Sequence, residues 1–452
     1  MAKKTKAASL TIEEKLEQAL VVPGYEPYKI PDNWCWTSFK NVAEVVTGGT
    51  PSKKHKEYYG NVFPFFKPAD LNTGRNVSIA SEYLSEEGKK VSRVIPAKST
   101  LVCCIGSIGK SGFLEIEGST NQQINSAIPK IEPLYLYYYV NTDCFINQLW
   151  SKSSATTISI VNKTKMEECY FPLAPLPEQQ RIVERIESLF SKLDEAKEKA
   201  QEVIDSFETR KAAILHKAFS GELTAKWREE NGVGIESWER KTLGEVCNSI
   251  FDGDHMPPPK SESGIPFLVI SNVNDGYLSF ENTRFVPQEY YDAITDTRKP
   301  EKGDVLYTLV GSFGIPVVVD INAPFCFQRH MALLKPKSIN TYFLWYLLQS
   351  QEMYQKASSI AKGVAQLTVP IKGLRLMDFN CPSEEEQIEI VRILDSLLEK
   401  EDTSKDNAES IIDQIDAMKK AILARAFRGE LGTNDPEEGS AVELLKQILS
   451  GE

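Results

Sequence analysis

KAAILHKAFSGEL (211–223) and KKAILARAFRGEL (419–431) are two copies of one motif, identical at 9 of 13 positions and 208 residues apart. Upstream, at the same separation, EQQRIVERIESLF (178–190) corresponds in pattern to EQIEIVRILDSLL (386–398). Two matches at one offset indicate a tandem duplication. A period of this length points to duplicated domains rather than a solenoid, whose repeats span about 20–50 residues.

The segments before these motifs also correspond, though more loosely. WCWTSFKNV (34–42) parallels WERKTLGEV (238–246), PFFKPADLNTG (64–74) parallels PFLVISNVNDG (266–276), and GSIGK (106–110) parallels GSFGI (311–315). We therefore divide the chain into an N-terminal segment (1–33), a first domain (34–176), a central helix (177–223), a linker (224–237), a second domain (238–382), a C-terminal helix (383–431) and an acidic tail with a short helix (432–452).

Apolar residues in both helical segments repeat at alternating steps of four and three, the pattern of a coiled-coil seam. The first seam consists of Ile182, Ile186, Leu189, Leu193, Ala196, Ala200, Val203 and Phe207, and the second of Ile390, Leu394, Leu397, Glu401, Ser404, Ala408, Ile411, Ile415, Met418 and Ile422. Pro177 suits a helix start, and Gly221 and Gly429 suit helix stops. About 42 residues predict a rod of roughly 60 Å. Helices buried inside one globular core are the alternative.

The two large domains contain short β-rich runs such as TLVCCI (100–105) and DVLYTLV (304–310), broken by Gly, Pro, Asn and Asp. Brief helical stretches such as TYFLWYLLQSQEMY (341–354) lie between them. This pattern predicts α+β domains that are partly barrel-like. The fold class is therefore α+β, with two similar domains separated by two long helices.

Motifs for catalysis are incomplete. CIGSIGKSG (104–112) has Cys104 where a phosphate-binding loop needs its first glycine, and its second copy has Ile315 in place of Lys110. NAPF (322–325) lacks the first proline of an amino-methyltransferase motif, and the four histidines form no hydrolytic pattern. The eight cysteines lack metal-ligand spacing, which favours reduced thiols. We expect no catalytic residue and no metal site.

Charge and hydropathy place few further limits on function. The net charge is −11, but residues 34–176 carry +3 and residues 238–382 carry −1, so the acidic groups lie mostly in the helical parts and the tail. This balance neither supports nor excludes a nucleic-acid partner. No apolar run reaches the roughly 18–20 residues that a membrane span needs, and charged residues interrupt any signal-peptide pattern. We expect a cytoplasmic protein without membrane contact.

The PLPEQQRIVERIESLF run (175–190), the AFSGELTAKWREEN (218–231) and AFRGEL (426–431) segments and the Trp-led start of each domain resemble the specificity subunits of type I restriction–modification enzymes. The resemblance extends from about Trp34 to Leu431. It implies that the two domains are target-recognition domains, each reading half of a bipartite DNA site. It also implies that the helices pack antiparallel with pseudo-two-fold symmetry and set the spacer between half-sites.

The same resemblance implies partners and cofactors. Two methyltransferase subunits carrying S-adenosylmethionine would dock on the helices, and two motor-nuclease subunits using ATP and Mg would complete the enzyme. This chain would hold no cofactor and be non-catalytic. The chain ends are expected to lie close together, so the amphipathic stretches IEEKLEQALV (12–21) and AVELLKQIL (441–449) would pack together or on a partner, or remain solvated.

Candidate DNA contacts are amide, basic and hydroxyl side chains in loops, because these groups bind base edges and phosphates. In the first domain they are Ser52, Lys53, Lys54, His55, Lys56, Lys67, Asp70, Asn72, Ser107, Lys110, Asn121, Gln122 and Gln123. In the second domain they are Asp254, His255, Asn272, Asn274, Ser312, Gln328, Arg329 and His330. A solvated charge run or structural hydrogen bonding is the alternative for many of them.

Two other function classes remain open at this point. A coiled-coil scaffold that binds protein without DNA specificity would also suit the net negative charge. A self-contained methyltransferase would need a cofactor loop and a complete catalytic motif, neither of which the sequence contains.

Overall fold

The computed structural model describes residues 10–154, 159–253, 258–364 and 366–451. The chain divides into two compact units, one formed by residues 1–199 and 410–452 and the other by residues 200–409. Each unit therefore combines one mixed α/β domain with parts of the long helices. None of the helices in the described ranges is long and apolar enough to cross a membrane.

The elements of the first half follow one another along the chain up to the first long helix. The helices are α1 (Ile12–Ala19), α2 (Phe39–Val42), α3 (Glu86–Val91), α4 (Pro133–Val140), α5 (Asp143–Lys152), α6 (Lys163–Glu167) and α7 (Leu176–Asp205). The strands are β1 (Cys35–Ser38), β2 (Ala43–Thr47), β3 (Tyr59–Gly60), β4 (Phe63–Phe66), β5 (Glu82–Leu84), β6 (Thr100–Cys103), β7 (Ser111–Phe113), β8 (Ser119–Thr120), β9 (Ile124–Pro129) and β10 (Tyr170–Leu173).

The first domain contains two open four-stranded sheets, ordered β2-β9-β6-β7 and β3-β5-β4-β8. Buried side chains from both sheets, among them Phe66, Leu101 and Ile124, pack into one apolar cluster. A separate pair, β1 with β10, joins the two ends of the domain. The strand orders are those of open sheets, and the partly barrel-like form expected from the sequence stays a prediction.

The elements of the second half begin with α8. The helices are α8 (Phe207–Phe219), α9 (Ala225–Asn231), α10 (Leu243–Val246), α11 (Gln288–Asp292), α12 (Thr341–Gln349), α13 (Gln351–Ile360), α14 (Ile371–Arg375), α15 (Glu384–Ala426) and α16 (Ala441–Ser450). The strands are β11 (Glu239–Thr242), β12 (Cys247–Asp252), β13 (Ile265–Leu268), β14 (Arg284–Val286), β15 (Val305–Thr308), β16 (Pro316–Val318), β17 (Cys326–Phe327), β18 (Met331–Pro336) and β19 (Asp378–Cys381).

The second domain repeats the topology of the first. Strand β11 pairs with β19 as β1 pairs with β10, and the sheet β12-β18-β15-β16 corresponds to β2-β9-β6-β7. The smaller sheet, β14-β13-β17, corresponds to β5-β4-β8. In place of β3, a single bridge links Ser261 to Phe285. The duplication inferred from the sequence is therefore a duplication of the whole domain fold.

The long helices pair antiparallel within each unit. In the first unit α7 and α15 are joined by ion pairs, Asp194 with Lys419 and Lys197 with Asp416. In the second unit Lys405 of α15 lies over the ring of Phe207, the first residue of α8, and Glu401 lies 2.6 Å from the Nε of Arg210. Along each pair one residue number rises as the other falls, which is the antiparallel order that was predicted.

The predicted coiled-coil seam is correct only in part. Ile182, Ile186, Ala200 and Phe207 are buried, as are four members of the second seam, Ile390, Leu394, Ala408 and Ile415. Ile422 is half-buried and packs against the core. Ala196, Ser404, Ile411 and Met418 are exposed instead. Helix α7 ends at Asp205 and α8 begins at Phe207, and Ser206 between them keeps helical backbone hydrogen bonds with Glu202 and Arg210.

The two ends of the chain pack together in the first unit. Helix α1 contacts α16, and Ala19, Ala441 and Leu445 are buried in the same apolar cluster as Trp34. Helix α1 begins at a capping box, in which Thr11 accepts a hydrogen bond from the amide of Glu14 and the Glu14 carboxylate accepts one from the amide of Thr11. Of the arrangements considered for the terminal segments, packing against each other is the one observed.

Candidate nucleic-acid interface

A buried tryptophan–glutamate hydrogen bond fixes each domain to the start of its helix. In the first unit the indole N–H of Trp34 donates to Glu178 Oε2 at 2.7 Å, and in the second Trp238 donates to Glu386 Oε2 at 2.9 Å. Glu178 and Glu386 are almost fully buried. The glutamate of each EQ motif and the tryptophan that opens each domain are thus direct partners, which explains why both recur.

The glutamine of each EQ motif forms a second pair of contacts. Gln179 donates to the carbonyl of Ala174 at 2.8 Å and accepts from the amide of Glu132 at 3.1 Å. Gln387 donates to the carbonyl of Pro382 at 2.9 Å and accepts from the amide of Asn340 at 2.8 Å. Each glutamine therefore ties the last strand of its domain to the residue that caps α4 or α12. Together the two EQ residues hold the domain rigidly on its helix.

The carboxyl ends of four strands meet at one edge of the first domain. Strand β2 ends at Thr47 opposite Asn125, and β6 ends at Cys103 opposite Ile124. Strands β4 and β8 run parallel and end together at Phe66 and Thr120. The backbone amide of Asn121 then donates to the carbonyl of Phe66 at 3.1 Å. The loops that follow these four strands therefore form one surface, here called the first loop surface.

The second domain has an equivalent edge. Strand β12 ends at Asp252 opposite Ala332, and β15 ends at Thr308 opposite Met331. The parallel strands β13 and β17 end at Leu268 and Phe327. The loops after β12, β13, β15 and β17 form the second loop surface. The described candidate residues of each domain all lie in the loops of these two surfaces.

The basic segment Ser52–Lys56 follows β2, and all five side chains are exposed. His55 stacks on the ring of Tyr58 and lies 2.8 Å from the carboxylate of Glu57. Two residues before the segment, Thr50 donates to the side-chain oxygen of Gln122 at 2.6 Å. This bond links the basic segment to the loop after β8. Positive charge therefore lies beside an exposed amide, a combination suited to phosphate and base contacts.

Three candidate residues hold the loops in place. Asp70 accepts hydrogen bonds from the amides of Lys67 and Ser81, and Asn272 accepts one from the amide of Val269. Asn121 is buried and accepts from the amide of Gln123 while donating to its side chain. Because their polar atoms are used inside the loops, we assign these three residues to loop positioning rather than to base contact.

Exposed candidates lie beside these positioning residues. Asn72 and Asn274 are exposed at equivalent places, two residues after Asp70 and Asn272. Gln122 is exposed and Gln123 is half-buried, whereas Lys67 forms an ion pair with Glu82. Base contact therefore remains a prediction for the two asparagines and for Gln122 and Gln123.

The GSxG turns after β6 and β15 need glycine at two positions each. Gly106 and Gly109 have φ values of +80° and +88°, and Gly311 and Gly314 have +72° and +97°. Such backbone conformations are strained for other residues. Ser107 and Ser312 are exposed at the turns, and Lys110 is half-buried. Gly106 and Gly311 are exposed, and close approach of their backbone to a phosphate stays a prediction.

Gln328, Arg329 and His330 follow β17 at the second loop surface. Arg329 is exposed, and the other two are half-buried. Burial, with the nearby charge of Arg329, lowers the pKa of His330, so its imidazole is neutral near pH 7. Asp254 and His255 lie outside the described residues.

Sequence reasoning missed a hairpin in each domain. In the first, Ser154 and Ile160 exchange two backbone hydrogen bonds, and in the second Lys362 and Thr368 do the same. Each hairpin is bound to a GSxG turn, through Gly106 to Ser159 and through Gly311 to Leu367. The two hairpins lie 208 residues apart in the sequence, so that Val161 aligns with Val369. This repeat is the signal that could have indicated them.

Metal chemistry finds no support in the described ranges, which contain no group of three or more His, Cys, Asp or Glu side chains placed to hold an ion. The chemistry available at both loop surfaces is hydrogen bonding and charge.

Comparisons with known proteins agree with this geometry. Two curated relatives match 93% of this chain. The specificity subunit of the type I restriction enzyme EcoBI from Escherichia coli is 26% identical, with 92% of that protein covered. The EcoKI specificity subunit from Escherichia coli strain K12 is 22% identical, with 96% covered.

Two solved structures share the fold. A chain from a study of complex assembly and conformational transition of the type I R-M system superposes with a TM-score of 0.69 at 21% identity, covering 90% of this chain and 100% of that one. The crystal structure of the HsdS subunit from Thermoanaerobacter tengcongensis gives a TM-score of 0.59 at 21% identity, with 90% and 99% covered.

The family model for the type I restriction modification DNA specificity domain matches this chain twice, over residues 31–205 and 235–412. Each match contains one loop surface, one Trp–Glu pair and part of a long helix. The two matches together span most of the sequence. The chain therefore belongs to the family of type I restriction–modification specificity proteins and carries the DNA specificity domain of that family in two copies.

Proposed function

We propose that this chain is the DNA-recognition subunit of a type I restriction–modification complex, with each domain reading one half of a bipartite DNA site. The observation that carries the proposal is the loop surface that occurs twice, once in each matched specificity domain. Both surfaces gather amide, hydroxyl and basic side chains at the carboxyl ends of equivalent strands. Their outward-facing residues differ, which suits two different half-sites.

The long helices have a separate role in this proposal. They set the spacer between the half-sites, and they dock two methyltransferase subunits and, with them, two motor-nuclease subunits. Glu195, Glu198 and the exposed apolar residues Ile411 and Met418 give the helices both charged and apolar surface for such contacts.

Catalysis in this proposal belongs to the partners. S-adenosylmethionine, ATP and Mg would be held by the partner subunits in the cytoplasm, and this chain would contribute recognition. The curated relatives are named as specificity subunits of type I restriction enzymes, in keeping with that division of labour.

The test is to map methylated DNA in a host that expresses this chain with its methyltransferase subunits. The proposal predicts a bipartite motif with a spacer of undefined sequence, absent when this chain is omitted. The isolated chain should bind DNA weakly and without sequence preference, since the two domains carry a modest positive balance at most. Methylation that ignores this chain would favour the scaffold alternative. Methyl transfer by the isolated chain would contradict the non-catalytic assignment.

A further inference from the structure

The hairpin of the second domain presents apolar side chains to solvent beside the predicted DNA-contact residues. Its described residues are Ala361–Val364 and Gln366–Val369. Val364 is fully exposed, and Leu367 is 43% exposed. Exposed apolar side chains forgo the favourable free energy that their burial would provide. A partner with apolar groups at matching places would give them a contact.

The same hairpin brings an amide to the cleft that Arg329 and His330 line. Gln366 is exposed, and its amide lies over the GSxG turn, so that a Cβ at Gly311 would come within 3.2 Å of Gln366 Nε2. The cleft has a volume of about 350 Å³, and Gln366 and Thr368 from the hairpin line it together with Arg329 and His330. Hydrogen-bonding groups from two separate loops therefore converge there.

The chemistry of this cleft matches the major groove. Glutamine pairs with the N6 and N7 atoms of adenine, arginine pairs with the O6 and N7 atoms of guanine, and thymine presents an apolar methyl group. The backbone hydrogen bonds Lys362 N to Thr368 O, Gly311 N to Leu367 O and Val369 N to Leu309 O hold the hairpin on the second loop surface. The amide is thus placed by a rigid support, as base reading requires.

We infer that this hairpin is a base-reading element of the second domain, in which Gln366 contacts an adenine in the major groove and Val364 contacts a thymine methyl beside it. The inference rests on the proposed function and makes it specific. It assigns at least one A·T base pair of the second half-site to a segment outside the residues that the sequence singled out.

The experiment compares Gln366→Ala with the parent chain in the assembled methyltransferase complex, by mapping methylated motifs and measuring binding to sites altered one base pair at a time. Discrimination at one A·T pair of one half-site should fall about 5- to 150-fold, the range for loss of one bidentate contact. The other half-site and the spacer should stay unchanged. Val364→Ala should weaken preference at the same or the adjacent base pair.

Gln288→Ala is the matched control, because Gln288 is exposed on α11 and its amide is bonded to Asp292 of the same helix. This variant should leave the motif unaltered. Equal thermal unfolding temperatures would establish that all variants are folded. An unchanged motif in Gln366→Ala would overturn the inference, as would uniform weakening on every sequence, the mark of a phosphate contact. If the parent complex itself shows no bipartite motif, the proposed function fails instead.

Discussion

Glu178 and Glu386 occupy equivalent positions, yet their neighbours differ in charge. Glu386 Oε1 accepts from Arg228 at 2.7 Å and from Thr224 at 2.6 Å, and the Arg228 side chain is only 9% exposed. Glu178 Oε2 instead accepts from Trp34 and from Asn434, both of them neutral. A motif that is identical in sequence therefore forms a buried ion pair in one unit, whereas in the other its carboxyl accepts hydrogen bonds from neutral donors.

Glu386→Gln should destabilise the chain by about 3–5 kcal/mol, because it leaves the buried guanidinium of Arg228 without a counter-charge. The control is Glu389→Gln, three residues along α15, which removes a more exposed pair with Arg392 and should cost about 0–1 kcal/mol. Urea unfolding of the full chain measures both. Equal costs for the two variants would refute the role given to the buried pair.

The pH dependence of the free energy of unfolding should reveal the raised pKa of the Glu178 carboxyl. Burial raises the pKa of the Glu178 carboxyl above its ordinary value, so the folded chain binds this proton at higher pH than the unfolded chain does. Its contribution to the free energy of unfolding therefore increases as pH falls from neutral through the raised pKa, and it levels off below the unfolded value. Glu178→Gln lacks that proton. The difference in stability between parent and variant should shift in favour of the parent as the pH is lowered from about 8 to about 4, past the unfolded pKa of a glutamate. A difference that does not vary with pH would contradict this account.

At the scale of single residues, the sequence predicted which residues recur in both halves, but it did not predict which residues they contact. The repeat located Trp34, Glu178, Trp238 and Glu386, but it did not show that they bond to one another, because residues 144 or 148 positions apart carry no local signal. Nor did it separate Asn121, which is buried, from its exposed neighbour Gln122. The conformation of the folded loop determines which of these side-chain amides is exposed to solvent.

At the scale of elements, the long helices show where sequence periodicity holds and where it drifts. The predicted seam passes through Ile390 and Leu394, both buried, but reaches Ile411 and Met418, which are exposed. An α-helix has 3.6 residues per turn, so a strict 3.5-residue pattern moves about 20° around a straight helix with every heptad. Over the 43 residues of α15 that drift moves the buried face off the predicted positions.

A heptad inserted within Glu195–Lys199 tests whether the helices set the spacer. Seven residues add about 10 Å of helix, close to the axial length of three base pairs at roughly 3.4 Å each. Since the partner helix must slide or bulge, the spacer should lengthen by three base pairs or fewer, with both half-sites unchanged. A four-residue insertion at the same place should break the packing phase and abolish assembly with the methyltransferase subunits. The measurement is the methylation motif of each variant. An active heptad variant with an unaltered spacer would exclude the proposal that the helices set the spacer.

At the scale of the whole molecule, the chain consists of two copies of one arrangement: a Trp-led domain, an EQ helix start and a loop surface at the carboxyl ends of four strands. The duplication was visible in the sequence because the helical motifs are alike. The shared domain topology was only partly visible, since the strands are short and their partners lie far apart in the chain. The hairpins went unseen because their supports are backbone hydrogen bonds to a distant turn, which place no demand on side-chain identity.

Exchange of residues 34–176 for the matching domain of a relative tests whether the two domains recognise DNA independently. Methylated motifs are mapped for the parent and the exchanged chain, each assembled with the same methyltransferase subunits. The Trp–Glu pair keeps the incoming domain on its helix, provided that the relative supplies the tryptophan at its start. Independent recognition predicts a motif with one new half-site, one unchanged half-site and the original spacer, each mismatched base pair costing about 1–3 kcal/mol. A folded chimera that alters both half-sites, or leaves both as they were, would contradict it.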